Sequence, residues 1–131
     1  MVLRKIHAWA AILFVAAIVV QVFLAGAAIA NLGGSGDFGT HRDFGYTGVG
    51  LIALAVLLTA LLARLPRREV GYSVGLFVLY IIQTILPNLK DVSPVFGALH
   101  PVNAMFLFGL SVWYARRAWR GSAGAPAGMA G

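Results

Sequence analysis

His41 and His100 each open a long apolar run, and they are the residues of this chain best suited to hold a cofactor. A neutral imidazole ligates a metal through one ring nitrogen, while the other nitrogen donates a hydrogen bond that fixes tautomer and orientation. A haem iron takes two such side chains as axial ligands, and helical bundles build sites of this kind from facing helices. The pair therefore predicts a bis-histidine haem b, with His41 and His100 as the metal ligands. Haem also carries two carboxylates. Arg42 and Lys90 lie near the histidines in sequence and are the expected partners for them. Gly45 and Gly48 follow His41 by four and seven residues and share roughly its helix face. They are expected to leave room for a porphyrin edge lined by Phe44, Phe96 and Met105. The bland alternative is a pair of interfacial histidines bonded to water or loop carbonyls, with Arg42 and Lys90 as solvated charges beside Asp43 and Asp91.

Other chemistry is poorly provided for. The chain has no cysteine, which excludes disulfides, thiolate metal sites and covalent c-type haem. No nucleophile–base arrangement, phosphate-cradling loop or Cys/His cluster is present. No catalytic residue is predicted, and the chain is not expected to be an enzyme on its own.

The elements that would carry these residues are membrane spans. Of 131 residues, 60% are hydrophobic and only 11% charged, against about 25% charged in a soluble domain. Four apolar stretches, Ile6–Ala30, Phe44–Leu65, Val70–Leu86 and Phe96–Ala118, approach the roughly 20 residues needed to span a bilayer as helix. The third is short and is expected to extend toward Leu89. The first is too long for a signal-peptide core of about 7–15 residues and reads as a span. The fold class is all-α, a four-transmembrane-helix bundle over residues 1–120, with a Gly/Ala-rich disordered tail over 121–131.

Arg4 and Lys5, then Arg64, Arg67 and Arg68, then Arg116, Arg117 and Arg120, all fall on one side of a four-span chain; only Arg42 and Lys90 fall on the other. Short Lys/Arg-rich segments stay cytoplasmic, so both termini are expected inside a plasma membrane. The net charge of +6 is read as flanking charge beside a bilayer, not as a nucleic-acid surface. The expected partners are lipid, and a membrane redox protein or a second copy of the chain.

The two halves echo each other. Gln21, His41 and Arg64 recur as Gln83, His100 and Arg116, with glutamine-to-histidine spacings of 20 and 17 residues. A pseudo-twofold repeat of two helical hairpins, about an axis along the membrane normal, would bring the histidines to equal depth across the bundle. The glutamines are read first as interhelical hydrogen-bonding groups, and alternatively as partners of the histidines. His7, beside Arg4, Lys5 and Trp9, is expected at the interface. Gly71 and Gly75 form a GxxxG element for close approach to a neighbouring helix, in the bundle or in a dimer.

On His41-Arg42-Asp43-Phe44-Gly45, on Gln21-Val-Phe-Leu-Ala-Gly26 closing the preceding span, and on His100 heading the last span, the chain resembles one four-helix half of the haem A synthase superfamily. The likeness spans most of residues 7–118. It implies haem ligation by His41 and His100. Phe38 stands where that family's oxidising half carries a glutamate, and the outer-loop cysteine pair of many members is absent. The chain is also similar to small four-span membrane proteins of unknown function with the same Gln…His-Arg…His layout.

The expected function is haem b binding for electron transfer, haem handling or redox sensing. A cofactor-free accessory or structural subunit is the alternative, and a small transporter-like oligomer the second. Against transport, the four stretches as bounded above contain no Asp, Glu or Lys, the groups on which ion and proton relays depend.

Overall fold

The computed structural model describes residues 2–34 and 36–123. In order these form α1 (Val2–Ile29), α2 (Gly39–Asp43), a π-helical turn (Phe44–Val49), α3 (Gly50–Leu62), α4 (Arg67–Ile85), a 3-10 turn (Leu86–Leu89) and α5 (Pro94–Ser122). α2, the π turn and α3 run on as one helix, Gly39–Leu62, and α4 continues through the 3-10 turn to Leu89. The protein thus has four helices long and apolar enough to cross a membrane, and no strand among the described residues.

Each helix begins earlier than the apolar runs suggest, because polar residues at a helix start cost little when their side chains reach water or a partner. The helix containing α2 therefore takes in His41 and Asp43, and α4 takes in Glu69. The expectation that the spans hold no acidic residue is corrected accordingly. α5 has a clear start signal: Ser93 Oγ accepts from the Val95 N–H at 3.4 Å, and Pro94 occupies the first helical position. α1 and α3 end alike. Asn31 and Arg64 adopt positive φ, and the next residue's N–H returns to a carbonyl five positions back, Leu32 to Ala27 and Leu65 to Ala60. The tail expected to be disordered lies mostly outside the described residues, although Gly121 and Ser122 belong to α5.

Neighbouring helices pack in a ring. α1 contacts α3 and α5, and α4 contacts α3 and α5. The helix bearing His41 and the helix bearing His100 therefore face each other across a diagonal. The core mixes small residues (Ala11, Ala17, Ala53) that let backbones approach with Phe14, Val56, Leu76 and Tyr114, which fill the middle. The outward surface is apolar as well: Met105 is 76% exposed, Phe106 69% and Leu51 68%. Such a belt would be an aggregation hazard in water and is the normal lipid-facing surface of a spanning bundle.

Candidate functional site: the histidine pair

His41 and His100 meet across the bundle, their ring centroids 6.4 Å apart and their planes at 77°. Each is held in the same way. His41 Nδ1 lies 3.0 Å from the main-chain carbonyl of Gln21, and His100 Nδ1 lies 3.0 Å from that of Gln83. A carbonyl only accepts, so both Nδ1 atoms carry the proton and both Nε2 atoms carry a lone pair. The glutamine side chains meet those lone pairs: Gln21 Nε2 is 3.3 Å from His41 Nε2, and Gln83 Nε2 is 3.2 Å from His100 Nε2. The repeat expected from the sequence is present in this pairing, and the glutamines are partners of the histidines as well as interhelical bonds.

The two halves differ in how the glutamine is held. In α4 the helical partner of the Gln83 carbonyl would be residue 87, which is proline and has no N–H. That carbonyl is therefore free of the α ladder and available to His100. The Gln83 side chain is fixed by Asn103, whose Nδ2 donates to Gln83 Oε1 at 2.7 Å and to the Leu79 carbonyl at 3.1 Å. In the first half Gln21 Nε2 donates to the His41 carbonyl at 2.7 Å. Its Oε1 is buried without a hydrogen-bond partner. An orphaned buried oxygen carries a desolvation cost of about 1–3 kcal/mol.

The π turn starts three residues after His41. Such turns add a residue to the helical repeat and loosen the carbonyl ladder. Tyr80 from α4 uses this, with its hydroxyl bonded to the carbonyls of Gly45 and Tyr46 at 3.2 and 3.3 Å. Gly45 and Gly50 permit the close approaches. A Cβ on Gly45 would stand 2.6 Å from Gln21 Nε2, and one on Gly50 would strike the Tyr80 hydroxyl.

These contacts correct several sequence expectations. The space over Gly45 holds the Gln21 amide, and that over Gly48 the Phe44 ring, so neither glycine leaves a porphyrin-sized gap. Met105 faces outward. Arg42 is exposed and pairs with Asp43 at 3.5 Å. Lys90 is exposed, but its stem lies against α5 beside Gly97, one turn before His100.

A second polar centre occupies the other, arginine-rich end, and sequence reasoning missed most of it. His7, expected at the interface, is 2% exposed. The Thr59 hydroxyl donates to the Ala55 carbonyl at 2.7 Å, so Thr59 accepts from His7 Nδ1 at 3.0 Å. His7 Nε2 then accepts from the Tyr114 hydroxyl at 2.9 Å, and Tyr114 accepts from Ser73 at 2.8 Å. Glu69 is gripped by the Arg117 guanidinium through Nε and Nη2, at 2.8 and 2.5 Å from Oε1. All four long helices contribute. Both His7 nitrogens are engaged, as are those of His41 and His100, but the partners of His7 are a half-buried side chain from α3 and a buried one from α5. The available signal was the stripe Leu107, Ser111, Tyr114 at helical spacing on α5, which marks the buried face.

Among the described residues no group of three or more His, Cys, Asp or Glu could hold a metal ion. A bare zinc ion takes three or four protein ligands. Haem, by contrast, brings four nitrogens and asks the chain for two.

A model of a family of unknown function (DUF6220) covers residues 21–88, just over half of the chain, from Gln21 through His41 to Gln83 and beyond. No curated protein and no solved structure matched the chain.

Proposed function

As the chain belongs to the DUF6220 family, whose function is unknown, we propose from the geometry of the site that it is a bis-histidine haem b protein of the membrane, with electron transfer as its role. The observation that carries this reading is the matched pair of imidazoles, each with Nδ1–H anchored on a main-chain carbonyl and Nε2 unprotonated. A first-row metal takes an imidazole nitrogen at about 2.0–2.1 Å, which puts the centroids of two opposed rings roughly 6 Å apart. The 6.4 Å separation fits that spacing. Ligation would require the Gln21 and Gln83 amides to move off the two Nε2 atoms. The edge role expected of Gly45 does not fit, because the Gln21 amide stands over it, while Arg42 and Lys90 are both exposed cations open to a carboxylate. Bound haem would supply a one-electron couple. His41 and His100 would hold the group, with the orientation of each ring fixed by the Gln21 and Gln83 carbonyls.

The distribution of cations supports an orientation. Eight Lys/Arg side chains flank one end of the bundle and two the other, so both termini belong in the cytoplasm and the histidine pair in the opposite leaflet of the plasma membrane. The test of function is the absorption spectrum of detergent-purified protein supplied with haem, oxidised and then reduced. One haem per chain with sharp reduced α and β bands is expected, lost in His41→Ala and in His100→Ala. A protein that stays colourless would overturn the reading and leave the glutamine–histidine bonds as structural links of an accessory subunit.

A further inference from the structure

The arginine-rich end holds a cavity of about 890 Å³ between α1, the α3–α4 loop, the first turn of α4 and α5, lined by four arginines and by Glu69, which Arg117 neutralises. We propose that it is a binding site for an acidic phospholipid, with the headgroup phosphate held by Arg4, Arg116 and Arg120 and an acyl chain laid along α5 past Val112 and Gly109. Charge is the first argument. Glu69 is the only acidic side chain at that end of the bundle, since Asp37, Asp43 and Asp91 belong to the other. It is committed to Arg117. Among the described residues the ion pairs are Arg42–Asp43 and Arg117–Glu69, so Arg4, Arg116 and Arg120 line the cavity without an acidic partner.

Shape is the second argument. The lining runs along α5 from Gly109 to Ser122, about 20 Å of helix. It changes from guanidinium groups at one end to Val112 and Gly109 at the other. A Cβ on Gly109 would meet nothing within 4 Å, so that stretch is open. A free phosphate would fill only the polar end; an amphiphilic anion matches both. Depth is the third. Trp113 lines the cavity, and Trp9 packs edge-on against Trp119 at 5.3 Å close by. Tryptophans collect at headgroup level, and basic pockets between helices on that side of a bilayer suit anionic headgroups.

The test is native mass spectrometry of the intact protein in detergent, titrated with phosphatidylglycerol, with phosphatidylcholine of the same acyl chains, or with inorganic phosphate as competitor. Retention of phosphatidylglycerol at least about tenfold over phosphatidylcholine is expected, falling by about tenfold or more in Arg116→Gln/Arg120→Gln. The control Arg67→Gln/Arg68→Gln removes as much charge from the same end but lies outside the cavity, and is expected to leave retention unchanged. These residues are exposed and their loss leaves the core intact. Equal retention of the two lipids would overturn the site. Equal weakening by the control pair would reduce it to diffuse surface attraction. Displacement by millimolar phosphate as effective as by lipid would make it a free-anion site.

Discussion

At the scale of single residues, each histidine rests on a main-chain carbonyl while the side-chain amide of the same glutamine meets its lone pair. This separates two roles that one mutation usually confounds. Gln21→Leu and Gln83→Leu remove the amide but leave the carbonyl, so the Nδ1 anchor survives. Both variants are expected to bind haem as well as the parent or better, with shifted bands. His41→Ala and His100→Ala are expected to lose it. Haem loss in the leucine variants equal to that in the alanine variants would show that the amide is itself required for binding. The network at the opposite end makes a contrasting prediction. Tyr114→Phe leaves His7 Nε2 without its donor in a buried position, which costs about 1–3 kcal/mol. A lowered thermal midpoint in detergent with an unchanged haem spectrum is the expected result.

At the scale of elements, the glycines divide by what stands over them. Gly45 and Gly50 lie under Gln21 and Tyr80, so Gly45→Ala or Gly50→Ala is expected to destabilise by about 1–3 kcal/mol. Gly71 and Gly75 have open space above them, so the GxxxG element does not serve packing within the chain. Gly71→Ala is expected to hold or raise monomer stability, by up to about 1 kcal/mol from helix propensity, as read by thermal unfolding. The same contrast shows what could be read in the sequence. The spans and the paired histidines were legible because apolar runs and the glutamine–histidine repeat are local patterns. The place of His7 was not. Its burial depends on α1 starting at Val2 and on Thr59 and Tyr114, which lie 52 and 107 residues away. Nor could sequence place the Gln21 amide over Gly45, because helix rotation fixes that contact. The π turn, which fits no regular apolar period, was equally hidden.

At the scale of the whole molecule, the bundle has two polar ends joined by an apolar middle, with eight of its ten Lys/Arg residues at one end. The orientation drawn from this can be checked on a chain that contains no cysteine of its own. A single cysteine at Asp91 is expected to react with a membrane-impermeant maleimide on intact cells. One at Arg67 is expected to react only after permeabilisation. The reverse pattern would invert the topology. Like the other three long helices, Gly39–Leu62 reaches from one polar end to the other, carrying His41 at its head and Thr59 near its foot. The π turn between them sets the angular phase of one end against the other. An α-helix turns by about 100° per residue, so shortening Phe44–Val49 by a single position would swing His41 out of line with His100 while Thr59 still met His7. The span is in effect a shaft whose two keyways are cut at a fixed offset, so in this stretch the number of residues is as constrained as the smallness of Gly45.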